Sequence, residues 1–502
     1  EGRAMKRLSI VVAVLFLLVG AVALAEEARV QIIEPADGAI LRGRVEITAE
    51  GTGFRDLETL GVAVFEYSSD GTDYSLIGID NVSYDGFSTT WDTTKVPDGE
   101  YRLRVTITDL WNTTAQAEIE VWIDNERKLP RTLRVPQAFA TIQEALAEAR
   151  PHDTIEVDGS VGLGLYIGNF TVDVPQITIE AVNGPVQLQR AADYVVRIRA
   201  DSVTFRGFTV SGGGTGIVVA GDHVLLEGNL VSGNEEGILL SGARNCILKE
   251  NEVTGNERWG IMLSSASGNL IEGNTIDHNG YLSEPGFGGL GVFLLAPSSG
   301  NTFRGNTISR NGTGMMILSD DNVLEGNAIT GNFEGVMLVG NRNHISGNLI
   351  SSGGQPASIG IAANGFKNMI EGNRISGHHG EGTGVGIWLS FPGNTVVRND
   401  IQDNDVGIGL LLSFSGPSIA LQPTQIAENN IVGNSKYGIE NPLYELAGGN
   451  PITIDARNNW WGDPSGPFHL GKNPQGKGDR VSDNVDFEPW LTAPVEIPQP
   501  GP

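Results

Sequence analysis

The sequence predicts an all-β protein. Its larger part is a parallel β-helix solenoid with a short helical cap at its start, and a β-sandwich precedes it. Three observations carry this expectation. A phrase Gly-(Ile/Val/Met)-x-(apolar) starts at Gly216, Gly237, Gly260, Gly291, Gly314, Gly335, Gly360, Gly386, Gly407 and Gly438, at spacings of 21, 23, 31, 23, 21, 25, 26, 21 and 31 residues. A second phrase, (apolar)-x-x-Asn-x-(Ile/Val), alternates with it, its asparagine at Asn229, Asn251, Asn274, Asn306, Asn327, Asn348, Asn373, Asn399 and Asn429. From about Val30 to Asn125, short apolar-polar runs are separated by Asp, Gly and Pro turns, the signature of a sandwich.

Each repeat offers three short strands: one led by Gly, one ending three residues before the asparagine, one centred two residues after it. Three strands in 21 residues cannot close hairpins on themselves. They can wind as a coil, each pairing with its equivalent one turn on, about 4.8 Å away. The corner asparagines are expected there because Asn tolerates left-handed backbone and stacks in amide ladders. A second asparagine recurs five residues later, at Asn234, Asn256, Asn279, Asn311, Asn332, Asn404 and Asn434, with Gly353 and His378 in that place in two coils.

The solenoid is expected over 131–491, opened by "TIQEALAEAR". Thr141 and Glu144 fit a capping box, and Ile142, Ala145, Leu146 and Ala149 form one apolar face. In the sandwich, expected over 28–125, Tyr101 of "VPDGEYRLRV" is placed like the tyrosine of a tyrosine corner. Residues 1–25 read as a signal peptide with upstream residues: Met5-Lys6-Arg7, an apolar run, then Ala23-Leu24-Ala25. No later stretch reaches the length of a membrane span. The expected location is secreted, periplasmic or cell-surface, with no transmembrane segment after cleavage. Residues 492–502 read as a Pro-rich tail. A net charge of −27 argues against a nucleic-acid partner. The lone cysteine, Cys246, reads as a packed small hydrophobe.

"VPQAFATIQEALAEARPHDTIEVDG", "ITIEAVNG", "VTFRGFTVSGGGTGI" and the Asn-cornered coils resemble right-handed parallel β-helix proteins of the pectin-lyase-like superfamily. The nearest branch holds NosD-like proteins and carbohydrate-binding or sugar-hydrolase modules. "NNWWGDPSGP…VSDNVDFEPWL" is similar to the terminator of secreted β-helix proteins, with Trp460 and Trp461 covering the core. The leading segment resembles bacterial immunoglobulin-like modules. The resemblance implies a polysaccharide or cell-surface polymer as partner. It also implies the chemistry an enzyme of this kind would use: clustered carboxylates, or Ca²⁺ with a basic residue for β-elimination.

Candidate catalytic residues are Asp320 and Asp321 at a turn, with Asp277, His278, His378, His379 and Glu381 beside inserted segments that leave one corner. The Asn-Thr-Asp and Arg-Ile-Lys elements of polygalacturonases are absent, as is the Tyr-Gly-x-Asp-Pro-His of alginate epimerases. The 277 and 378 groups lie four coils, about 19 Å, apart, so no shared metal site is expected. Candidate ligand-binding residues come from an outward row, the second residue after each Gly: Val218, Leu239, Met262, Phe293, Met316, Met337, Ala362, Trp388 and Gly409. An apolar stripe this long is unusual on an exposed sheet, and Phe293 and Trp388 suit sugar stacking. Met316 and Met337, one coil apart, suit Cu(I) and fit the NosD-like copper-accessory role, although no nearby His or Cys completes a site. Polymer binding leads these readings. A lyase, hydrolase or epimerase, a surface scaffold and the copper role stand as alternatives.

Overall fold

The computed structural model describes residues 27–54, 61–82, 86–126, 130–280, 289–355, 358–380, 384–410, 424–441 and 453–497. The signal-peptide expectation and Glu381 lie outside them. The chain divides into two compact units between residues 129 and 130.

In the first unit, a three-stranded sheet (Arg29–Glu34, Arg44–Thr52, Phe87–Asp92) and a five-stranded sheet enclose one core. Ile47, Phe65, Leu103, Val105 and Ile107 are fully buried there. Long strands Gly99–Thr108 and Thr114–Ile123 pair antiparallel over their whole length. The Tyr101 hydroxyl donates to the Pro97 carbonyl at 2.9 Å. Its ring packs edge-on against Tyr67 and Trp91, so the tyrosine fixes both the turn and the core.

The second unit is a solenoid of three parallel sheets, of 15, 12 and 12 strands. Each strand pairs with its equivalent on the next coil, with Val253 facing Ile276 and Ile276 facing Ile308. The Gly-led strands form one sheet, the strands before the asparagine a second, those after it a third. Aliphatic side chains fill the axis: Leu226, Leu248, Ile271, Phe303 and Leu324 stack fully buried in one column. The helix Ile142–Glu148 closes the start. Thr141 Oγ1 accepts from the Glu144 amide, and Glu144 Oε2 accepts from the Ala140 amide. Trp461 and Phe487, both fully buried, and half-buried Trp490 close the end. Val495 exchanges both its backbone polar groups with the Asn430 side chain, at 2.8 and 2.9 Å.

The asparagines form three columns. In the first, each backbone N–H and side-chain Nδ2 donates to Oδ1 of the next coil's asparagine, from Asn229 onward: Asn327 to Asn348 at 2.8 and 2.9 Å is typical. The column runs one coil past the sequence phrase, to Asn459. A third column, Asn269, Asn301, Asn322, Asn343, Asn368 and Asn394, turns the Gly-led strand into the second strand. One sequence-based expectation is corrected here. The left-handed residue is the one before each asparagine, such as Gly228, Glu250, Gly273 or Arg398. Asparagine itself is selected for its hydrogen bonds: its amide both accepts and donates, so it can satisfy buried corner backbone that neither strand pairing nor water reaches.

Candidate functional site

The Gly-led sheet is shaped by its glycines. A Cβ on Gly216 would sit 2.9 Å from Asn234 Nδ2 and 2.8 Å from the Gly237 carbonyl. The second-corner asparagine and the glycine therefore occupy one volume and recur together. Pairing skips the glycine: Thr215 faces Glu236, then Ile217 faces Ile238. The skip leaves two outward rows on this sheet.

One outward row holds the second residue after each glycine. Pairing aligns Val218, Leu239, Met262, Phe293, Met316, Met337, Ala362, Trp388 and Gly409 in register, with Arg197 before and Glu440 after. Phe293, Met316, Met337 and Trp388 are half-buried. At Trp388 the row becomes a platform. A Cβ on Gly409 would meet Trp388 Cε3 at 3.0 Å and Cζ3 at 3.3 Å, so the indole reaches over the glycine of the next coil. Small Ala362 precedes it. Phe366 and Phe391, ring centroids 4.7 Å apart, stand at the adjoining corner, where Ser390 donates to Asn364.

The other row, the residue before each glycine, escaped the sequence reading because the glycine skip reverses the alternation. It adds Glu236, Trp259, Leu290, Thr313 and Glu334. Trp259 packs against Phe293 at 6.3 Å, and the Arg258 guanidinium lies 4.5 Å over its ring. Thr215 donates to Glu236 and Thr313 to Glu334, at 3.0 and 3.3 Å. Arg258 pairs with Glu235 and Glu236. Burial pushes the Glu334 carboxyl up, against the Thr313 hydrogen bond.

Each described candidate catalytic group has a partner within its own corner of the coil. Asp277 takes bonds from Ser309 (2.6 Å), Arg310 (2.7 and 2.9 Å) and His278. Burial would raise its carboxyl, but these partners hold it below the usual carboxylate range. Asp320 and Asp321 share Arg342 at 3.1 and 2.7 Å, and Asp320 caps the Asn341 amide. His379 sits between Asp403 and Asp405, at 3.8 and 3.1 Å. Asp405 also holds Lys436 at 2.8 Å. His378 is 1% exposed and fills the asparagine place in the second column. Its amide donates to Asn404 Oδ1, and its ring meets the Ser358 hydroxyl at 3.0 Å. Burial drops its pKa to about 4. These groups are corner staples of the coil. Cys246 is buried, its thiol pushed up to about 11 by burial, which removes the thiolate a nucleophile needs.

On the outward rows the described carboxylates are Glu236, Glu334 and Glu440, at least four coils apart. That is about 19 Å, against the roughly 5–9.5 Å that paired carboxylates need for glycoside hydrolysis. Among the described residues, no three His, Cys, Asp or Glu cluster to hold a metal ion. Among them, too, no helix is long and apolar enough to cross a membrane.

Comparisons with known proteins fit this architecture. Residues 29–105 match the family model described as Bacterial Ig domain, and residues 290–442 the one described as Right handed beta helix region. Residues 187–320 match the model described as Periplasmic copper-binding protein (NosD). The chain is thus a right-handed parallel β-helix protein with an N-terminal immunoglobulin-like module. No curated protein matches it. Among solved structures, alginate lyase AlyF-OU02 in complex with G6 is 14% identical, covering 69% of this chain and 85% of that one at a TM-score of 0.49. The Azotobacter vinelandii mannuronan C-5 epimerase AlgE6 A-module is 15% identical, covering 57% and 93% at 0.43. The catalytic domain of GH87 α-1,3-glucanase in complex with nigerose is 13% identical, covering 89% and 92% at 0.41.

Proposed function

We propose that this is an exported protein whose β-helix binds an extended carbohydrate, or a similar cell-surface polymer, along the outer face of the Gly-led sheet. The observation that carries the reading is the Trp388 indole placed over Gly409, within a register-aligned apolar row. A long apolar strip with a few polar groups at its margins is what a ligand-binding surface requires. The distance between its carboxylates favours binding over two-carboxylate hydrolysis.

Retention in a native gel cast with polysaccharide tests this. Trp388→Ala is expected to abolish retention while leaving the thermal melt in place. Unchanged migration of the parent protein in every polymer would leave a surface scaffold. Release of sugar products from such a panel, lost on changing His378, His379 or Asp277, would favour an enzyme.

A second reading has one observation behind it. Met316 and Met337 are half-buried register neighbours on the outward row, and residues 187–320, which hold Met316 but not Met337, match the NosD family model. Thioethers suit Cu(I). Titration with Cu(I) under reducing conditions checks it: a Met316→Leu, Met337→Leu variant that binds as the parent does removes it.

A further inference from the structure

The inference here rests on the carbohydrate reading and narrows it. The geometry points to an uncharged, hydroxyl-rich polymer as the occupant of the Gly-led face, with Glu334 as the side chain that turns away polyanions.

Glu334 stands half-buried in the row before the glycines, between Thr313 and Ile359 in register. Three residues on, Met337 begins the approach to Trp388 through Ala362. One Glu334 oxygen accepts from Thr313. Among the described residues no cation pairs with it. Its counterpart Glu236 is different, since Arg258 neutralises it at 3.2 Å. A polymer lying on this face passes an uncompensated carboxylate midway, and a carboxylate both accepts sugar hydroxyls and repels a uronate.

The surroundings supply no cation to offset that. Arg310, whose stem passes Gly331 three residues before Glu334, is committed to Asp277, Arg258 to Glu235 and Glu236, and Lys436 to Asp405. Arg197 lies six coils before Glu334 along the pairing. That distance, about 29 Å, is well beyond a Debye length of about 8 Å. The net charge of −27 points the same way, but salt screens distant charges, so the local carboxylate decides.

The test is affinity electrophoresis of the full chain at physiological salt. The gels carry a neutral glucan, a neutral mannan, alginate or polygalacturonate, each with EDTA and with Ca²⁺. The parent protein is expected to be retarded by a neutral polymer and by neither polyuronate. Glu334→Gln removes the charge and keeps the shape. It should weaken neutral retention about threefold and strengthen polyuronate retention at least about tenfold, opposite signs from one substitution. Glu325→Gln, the same charge change on another sheet, should alter neither. Polyuronate retention of the parent equal to its neutral retention, with or without Ca²⁺, overturns the inference and leaves the carbohydrate reading standing. So does a Glu334→Gln variant that migrates like the parent. No retention by any polymer overturns both.

Discussion

A methyl group at position 409 would stand 3.0 Å from the Trp388 ring, so a side chain there crowds the platform and a branched one displaces it. Gly409→Val is expected to tip the indole off the sheet and cut polymer retention several-fold. The strand itself gains a β-branched residue that suits it, so the melting temperature should hold. Unchanged retention beside an unchanged melt would remove the platform. His378 makes a prediction of another kind. Its folded pKa is depressed to about 4, below the roughly 6.5 of an unfolded histidine. The unfolded chain therefore binds more protons between those values. Stability is complete above about pH 6.5, falls as pH drops toward 4, and levels off below. The whole step is about 3 kcal/mol. His378→Asn, which restores the column's usual amide, should flatten that slope in denaturant titrations at pH 7 and pH 4.5. The outward row of Trp388 was legible from period-two alternation after each glycine. Trp259 and Glu334 were not, because the pairing skip at the glycine inverts the phase for the residue before it.

At the scale of the element, corners and strand faces divide the labour. Asn327 makes four column bonds of 2.9 Å or less that bind three coils, and its side chain is 1% exposed. Truncation leaves buried donors and acceptors unpaired on both neighbours, each costing about 1–3 kcal/mol. Asn327→Ala is expected to lose at least about 3 kcal/mol by denaturant unfolding. A loss below about 1 kcal/mol would mean the column is decoration. The second-strand sheet carries a different device outside. Arg206, Glu227 and Lys249 face each other on successive coils, and Arg304 stands between Glu272 and Glu325. Exposed pairs of this sort contribute about 0–1 kcal/mol each, so their worth lies in avoiding stacked like charges. Glu227→Lys would set three cations in line. It should destabilise by about 1 kcal/mol, with 1 M salt relieving most of the loss; salt-independent loss would point to packing instead. The first column could be read from spacing alone. The third was hidden because only six coils carry its asparagine and Cys246 opens the series. The charge alternation needs the register, which loops of unequal length obscure.

Across the whole molecule, the closed ends matter as much as the coils, because a stack with a bare end exposes its axis. Trp461 is fully buried against the last coils and lies 3.2 Å from where a Gly438 Cβ would stand. Trp461→Ala is expected to cost about 3–5 kcal/mol. Amide exchange should rise first in the coils nearest 461; uniform acceleration over all coils would instead mean the solenoid opens as one unit. The capping helix was legible against the repeat, and Trp461 from the likeness of its segment to β-helix terminators; Trp460, expected beside it, is only half-buried, and Trp490 packs against the core instead. The docking of Val495 on Asn430 was not, since a Pro-rich tail gives no sign of which side chain receives it.

The second-corner column has a polarity. From His378 through Asn404 to Asn434, each donor points toward the C-terminal end and each acceptor back toward the start. Aligned amides of this kind sum as the peptide groups of a helix do, with the positive pole at the last coil. Asp479 occupies that pole, taking the Asn434 amide and side chain at 2.9 and 2.7 Å. An ionised carboxylate can receive and has nothing to pass on. The same residue that neutralises the pole also serves as the column's full stop: stacking by this rule can proceed no further.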